Sequence, residues 1–381
     1  MGKEAVLKVI PMLASFIPWQ IREGLRSILE FPRRISARKN LFRIRRTDRP
    51  HVGFGGVLDE GKPVHGGAVK LLPLREAFGG AENAFSLLYA VSSRQPRFAS
   101  DLFAHCRKSG IRIVWNQNGV GYPAWAGRES ERINKPMRAL RSMADYVIYQ
   151  SEFCRASADK FLGPCGLPSE ILYNPVDLEK FHPPESELPA TPLRLLTLGT
   201  HGYPERVFSA IHCLDALRRG GIESTLMIAG RLQWEGGGAE VAGLIGRLGL
   251  AAHVAILPPF SQDEAARLYR SHHIVLHPKY MDPCPTVAVE ALASGCPVVG
   301  SRSGGMPELV GADCGILVDA ATDWTRLLTP SGEELAGAVQ TLIPRLESAR
   351  KAARAHAEKL FDVRKWIARH GEIFVGLLAK R

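Results

Sequence analysis

The residue types best suited to chemistry are concentrated between His277 and Glu308, in the run HPKYMDPCPTVAVEALASGCPVVGSRSGGMPE. Two carboxylates, Asp282 and Glu290, stand eight residues apart in it. An apolar β-rich run ends at His277, a short loop carrying Asp282 follows, and a helix is predicted over 287–294, with Thr286 or a neighbour able to cap it. The start of such a helix presents free N–H groups and a partial positive charge, which suits a diphosphate. Glu290 lies about one turn inside, beside Val287, Val289 and Leu292, which face the core. A carboxylate there is costly unless it accepts good hydrogen bonds, and the two hydroxyls of a ribose would supply them. Gly304 and Gly305 admit a close backbone approach to a ligand, because no Cβ stands in the way.

Other candidate motifs fail on single residues. Gly56-Val-Leu-Asp-Glu-Gly61-Lys62-Pro63 is nearly a phosphate-binding P-loop, but Pro63 stands where a Ser or Thr hydroxyl must reach Mg²⁺. Gly53-Phe-Gly55 opens a dinucleotide fingerprint that Leu58 interrupts where its third glycine belongs. No Asp-x-Asp pair, HExxH motif or other close ligand cluster occurs, so no metal site is expected. His272 and His273 read as surface residues at a helix end and a strand start, and His277 reads as structural.

The elements that must position the 277–308 run follow from periodicity. From residue 51 short β-rich runs alternate with helical ones. Strands are predicted at 51–58, 85–91, 111–116, 146–150 and 170–174, with helices at 68–78, 99–109, 132–143 and 153–162 between them. A polar, proline-bearing stretch at 181–192 reads as a linker. The alternation then restarts, with strands at 193–198, 224–229, 254–257, 274–277, 297–300 and 315–318. Helices are predicted at 206–219, 240–248, 262–271, 287–294 and, as one long element, 333–360; an apolar run at 366–378 ends the chain. Strand–helix alternation implies parallel sheets covered on both faces. Ligands of such sheets sit beyond the carboxyl ends of strands, so the chemistry belongs on loops facing a cleft between the halves.

The chain has 381 residues, 45% hydrophobic and 23% charged, which suits two globular domains and excludes a disordered, collagen-like or disulfide-stapled chain. Its seven scattered cysteines form no CxxC pair and fit free thiols in a reducing compartment. The formal charge of +11 is uneven: the first 50 residues hold 12 Lys/Arg against 4 Asp/Glu. The basic character therefore belongs to a leader and argues against a nucleic-acid-binding body. Residues 5–31 mix apolar and aromatic groups with Lys8, Arg22 and Arg26, a pattern that lies in a membrane interface. The apolar run 9–19 is too short to span a bilayer, and no secretory cleavage site follows it.

The 277–308 run resembles the retaining glycosyltransferases of the GT-B architecture, specifically glycosyltransferase family 4. The resemblance rests on the Asp282-x7-Glu290 pair, the Gly295-Cys-Pro-Val-Val299 strand and the Gly304-Gly-Met-Pro-Glu308 turn. Asn174-Pro-Val-Asp177-Leu-Glu-Lys-Phe181-His-Pro183 looks like the end of the family's first domain, and His65-Gly66-Gly67-Ala68 like its glycine-rich loop near the donor phosphates. The resemblance implies a fold of two Rossmann-like, doubly wound parallel-sheet domains facing a cleft. It divides the chain into a basic leader (1–49), an acceptor-side domain (50–182), a donor-side domain (183–362) and a C-terminal helix (363–381) packing back on the first domain.

By the same resemblance, Glu290 binds the donor ribose, Asp282 the transferred sugar, and Arg206 and Arg231 neutralise the diphosphate; Asp282, Glu290 and Arg206 are the catalytic candidates. Gly66, Gly67, Thr200, Cys284, Thr286 and Val287 complete the donor site, and Asn118, Tyr122 and Trp125 face the acceptor. Several positions depart from the family. Asp282 replaces the usual Glu and is one methylene shorter. Pro283 and Pro285 remove two N–H donors from a loop that is usually Gly-Phe-Gly. Asn118 stands where a His is common and Thr200 where an Arg is frequent, and Arg206 falls one residue past the usual Lys.

The resemblance implies a retaining, metal-independent hexosyltransferase that needs no cofactor. It would move a sugar from a nucleotide-diphosphate donor to an acceptor hydroxyl on a glycan or lipid-linked acceptor, in envelope polysaccharide, lipopolysaccharide or glycolipid assembly. The expected place is cytoplasmic, peripheral on the inner face of the cell membrane, with residues 1–49 on an anionic surface. Two alternatives stand beside it: a catalytically silent membrane-attached scaffold or glycan-binding protein, and a phosphorylase-type enzyme of the same architecture.

Overall fold

A computed structural model describes residues 44–47, 50–58, 69–80, 83–96 and 98–379. Most of the basic leader, its amphipathic stretch, and both Gly66 and Gly67 lie outside the described residues.

The first sheet runs β1 (Val52–Gly53), β2 (Leu87–Val91), β3 (Arg112–Gln117), β4 (Tyr146–Tyr149) and β5 (Ser169–Ile171), in that spatial order and parallel throughout. Its crossovers carry α1 (Leu71–Phe78), α2 (Ala99–Lys108), the short α3 (Pro123–Ala126), α4 (Ser130–Arg141) and α5 (Glu152–Leu162). Strand β2 is buried at all five positions, as a strand covered on both faces requires. The expected strand over 51–58 shrinks to two paired residues, because Gly55 and Gly56 take φ of 63° and 73° and turn the chain away from the sheet.

The second sheet is built from β6 (Leu193–His201), β7 (Ser224–Leu232), β8 (Val254–Leu257), β9 (Ile274–His277), β10 (Val298–Arg302) and β11 (Gly315–Asp319). Its spatial order is β8-β7-β6-β9-β10-β11, all parallel. The winding therefore reverses between β6 and β9, and a crevice opens beyond the carboxyl ends of those two neighbours. The helices are α6 (Pro204–Arg219), α7 (Gly237–Arg247), α8 (Gln262–Ser271), α9 (Thr286–Ala293), α10 (Met306–Leu309), α11 (Gly332–Leu342) and α12 (Leu346–Leu360). Reciprocal capping boxes start α8, from Ser261 and Glu264, and α11, from Ser331 and Glu334.

The single helix expected over 333–360 is two, α11 and α12, separated by a short 3₁₀ turn at Ile343–Arg345. Pro344 has no N–H for the helical ladder and its ring clashes with the preceding turn, so the helix breaks there. His272 and His273 are buried rather than on the surface; His273 Nδ1 accepts the Arg194 amide at 2.9 Å.

A final helix, α13 (Val363–Ala379), returns the chain to the first domain. Val176 N–H donates to Phe361 O at 2.8 Å and Val363 N–H to Val176 O at 3.1 Å, pinning the crossing point. Trp366, Ile373, Phe374 and Leu377 then bury against Val52, Phe54, Leu87 and Tyr89. Each such side chain contributes roughly 1.5–3 kcal/mol of apolar burial. His370, also buried, bonds Tyr89 Oη at 3.0 Å through Nε2.

Candidate active site between the two domains

A cavity of ≈ 380 Å³ lies between the domains, beyond the carboxyl ends of β6 and β9. The first domain lines it with Gly119, Val120, Tyr122 and Trp125, and the second with Thr200, Tyr203, Arg206, Lys279 and Pro283 among others. Its walls are largely apolar and its charges are few, the ordinary form of a small-molecule site.

Arg206 sits in the first turn of α6 and is buried. Its guanidinium donates to Leu198 O at 2.5 Å and to Thr200 O at 3.5 Å, the carbonyls that end β6, while Nε is buried without a partner among the described residues. No carboxylate pairs with it there. Burial pulls its pKa down to about 10 against the opposing pull of Asp282 and Tyr269. A buried cation that lacks a counter-ion is costly, and an anionic ligand would relieve that cost.

Asp282 is buried on the loop between β9 and α9. One oxygen, Oδ2, receives Lys279 Nζ at 2.9 Å and His277 Nε2 at 3.2 Å. Burial would raise its pKa, but Lys279 and His277 together outweigh that and hold it below the usual carboxylate range. Burial draws His277 down to about 4, so the imidazole is neutral, and with Nε2 donating to the carboxylate its Nδ1 is buried without a partner among the described residues. The preceding residue, Met281, holds φ at 49°, a strained value for a non-glycine residue, and its carbonyl accepts Tyr122 Oη at 3.3 Å.

Gly304 and Gly305 admit a close approach of this loop's own backbone. A Cβ on Gly304 would stand 2.4 Å from Asp282 O, and one on Gly305 2.0 Å from Pro283 O. Gly305 N–H donates to Asp282 O at 2.9 Å, so the two turns are locked backbone to backbone.

Glu290 is partly buried on α9 and receives Tyr269 Oη at 3.0 Å. Burial raises its pKa to about 7, offset in part by Tyr269 and Lys180. One hydroxyl donor leaves the carboxylate under-satisfied. The start of α9 is preceded by Pro285 and has no side-chain cap; Thr286 is exposed there and Val287 partly buried. Cys284 is buried; its carbonyl accepts Asn174 Nδ2 at 2.7 Å, and burial pushes its thiol far up, so it is no nucleophile at neutral pH.

The remaining predicted residues divide. Tyr122, Trp125 and Thr200 line the cavity. Arg231 is exposed at the end of β7, in register with Thr200, and does not line it; Asp282, Cys284, Thr286, Val287 and Glu290 do not line it either, and lie on the loop and helix that follow β9. Asn118 is buried and accepts from Lys70 Nζ at 3.1 Å. Sequence reasoning missed Lys70, which is buried and also donates to Asn116 at 2.5 Å and Asn174 at 3.4 Å; burial lowers its pKa to about 7. It missed Lys279 and Tyr203 as well. Lys279 carried a signal, a cation three residues before Asp282 in the same loop, whereas nothing in the sequence joins Lys70 to three asparagines up to 104 residues away. No group of three or more His, Cys, Asp or Glu gathers into a metal-binding cluster among the described residues.

Two facing parallel-sheet α/β domains with the switch-point crevice between them make this a GT-B fold, and its structural neighbours are glycosyltransferases of that architecture. The sucrose-phosphate synthase of Thermosynechococcus elongatus superposes with a TM-score of 0.64 at 19% identity, over 81% of this chain and 76% of that one. HepE of Anabaena, solved in complex with UDP-glucose, superposes with a TM-score of 0.66 at 18% identity, over 86% and 98%. Residues 179–336, largely the second domain, match the family described as Glycosyl transferases group 1. Curated relatives include the D-inositol 3-phosphate glycosyltransferases of Mycolicibacterium gilvum and Mycobacterium marinum. The first is 46% identical over 67 residues, 18% of this chain and 15% of the relative. The second is 31% identical over 156 residues, 37% and 31% respectively. The matches thus span less than a third of the curated relatives' length.

Proposed function

We propose that this protein is a retaining glycosyltransferase that moves a sugar from a nucleoside-diphosphate sugar to an acceptor hydroxyl. The observation that carries the reading is Arg206, a buried guanidinium without a carboxylate partner among the described residues, on the wall of an interdomain cavity. Its natural counter-ion is a diphosphate, and the group 1 family domain over residues 179–336 supports the same conclusion.

In this reading the ribose hydroxyls donate to Glu290 and complete its hydrogen bonding. The diphosphate meets the open N–H groups of α9 and the guanidinium of Arg206, which stabilise the charge that builds as the donor's C1–O bond breaks. Asp282, ionised and held by Lys279 and His277, accepts from a sugar hydroxyl. The acceptor enters past Tyr122 and Trp125, and the departing phosphate takes its proton on the same face of the sugar, which gives retention. No metal ion is required where these groups carry the charge. The basic leader supports an acceptor held at an anionic membrane surface, as in envelope polysaccharide or glycolipid assembly.

Calorimetric titration with UDP, GDP and ADP tests the reading. One of them should bind, and Glu290→Ala should weaken it about tenfold or more, the loss expected when a charged hydrogen-bond partner is removed. No binding by the intact protein at millimolar nucleotide would overturn the reading and favour a catalytically silent scaffold.

A further inference from the structure

We propose that Lys279 is a catalytic residue, the second cation that receives the leaving diphosphate together with Arg206; the inference rests on the nucleotide-sugar reading above.

The winding of the second sheet brings the two cations to the same rim of the cavity. Arg206 follows β6 and Lys279 follows β9, the two neighbouring strands at which the sheet reverses, and both side chains line the same cavity. The charge demand exceeds what Arg206 supplies. Each Nη gives one of its two N–H groups to a carbonyl, of Thr200 or Leu198, and Nε is itself buried, so part of the fork is already committed to the protein. Thr200 is neutral, and Arg231 does not line the cavity. A leaving nucleoside diphosphate gains negative charge as the C1–O bond breaks with its electron pair on the phosphate oxygen. The acceptor oxygen forms the new bond to C1, and its proton passes to that phosphate. One half-committed guanidinium is a thin electrostatic complement to that change.

Lys279 has the geometry for the task. Its side chain is 45% exposed, and its one ion pair among the described residues is with Asp282 Oδ2. An ammonium has three donors, so N–H groups remain for phosphate oxygens while the contact to Asp282 is kept. A lysine is a compact charge on a flexible stem, able to follow a group whose position changes through the reaction. Asp282 stays anchored meanwhile, because His277 reaches the same oxygen.

The test compares nucleoside diphosphate with monophosphate. Calorimetry at one pH gives the affinity of the intact protein for UDP and UMP, or for the equivalent pair of whichever base binds. The same pair is then measured with Lys279→Met, Lys279→Arg and Asp282→Asn. The methionine variant should lose the preference for diphosphate about ten- to a hundredfold, the scale of a hydrogen bond to a charged group, with UMP affinity unchanged. The arginine variant should recover part of the preference, and Asp282→Asn should keep it. A methionine variant that keeps the preference overturns the proposal. So does an Asp282→Asn variant that loses as much, because Lys279 would then only be positioning Asp282. Failure of the intact protein to bind UDP, GDP or ADP removes the nucleotide reading as well, a result that no Lys279 variant can produce.

Discussion

Glu290 gives the fold a pH dependence that can be measured. A carboxylate whose pKa is raised from 4.5 to about 7 by burial holds a proton in the folded state that it has lost in the unfolded chain. Between those values the folded state binds more protons, so stability falls as pH rises from about 4.5 through 7 and stays low above it. The amount is on the order of 2–3 kcal/mol. Glu290→Gln should therefore melt several degrees higher than the intact protein at pH 8 and nearly equal to it at pH 5, in ligand-free thermal scans. An equal gap at both pH values would show that burial of the charge is not what strains this position. Asp282 has the opposite sign, since Lys279 and His277 keep it ionised whereas Glu290 receives only Tyr269. The glycine pair carries a different lesson. Gly304 and Gly305 were legible as sites of close approach, but their type does not say what approaches, and the answer is the Asp282–Pro283 backbone.

The elements that cross between domains explain why the cavity has a defined shape. Helix α5 begins at Ser151, whose Oγ accepts the Cys154 amide, and its other open amides are met from the opposite domain. Glu308, on α10, accepts Glu152 N–H at 2.6 Å and Phe153 N–H at 2.9 Å. A carboxylate at a helix start is worth about 0.3–1 kcal/mol, more when partly buried. Glu308→Gln should lower the melting temperature and separate the unfolding of the two domains in calorimetry; an unchanged single transition would show that this contact does not couple them. Nearby, the segment after β11 lays Trp324 on Phe153 in a stack at 5.6 Å and edge-on to Tyr122 at 5.1 Å. Tyr122 is thus held by the second domain while it lines the cavity, and Tyr203 Oη joins the domains there by donating to Trp125 O at 2.7 Å.

At the scale of the molecule, charge and fold are separated along the chain. The domains carry the cavity, and the first 50 residues carry most of the excess positive charge. No helix among the described residues is long and apolar enough to cross a membrane. Surface attachment, as proposed above, is predicted to depend on the charge of the leader. Each Lys or Arg near an anionic leaflet adds about 1 kcal/mol, screened by salt. Deleting residues 1–48 should abolish sedimentation with vesicles containing anionic lipid, and raised NaCl should weaken it in the intact protein. A truncated protein that still sediments would place the anchor elsewhere.

The parallel α/β class, ten of the eleven strands within a few residues and the helix carrying Glu290 were readable in advance, because each depends on periodicity and spacing among consecutive residues. The exceptions were local breaks, Gly55-Gly56 in the first strand and Pro344 in the long helix, where one residue overrode an apolar pattern. What only the tertiary structure decided is which groups share a space. Lys70 among its asparagines, Glu308 on α5, Trp324 beside Tyr122 and Lys279 on the same cavity as Arg206 join residues far apart in the chain. Such contacts depend on how two sheets wind and how two domains dock, and neither leaves a trace in the identity of neighbouring residues.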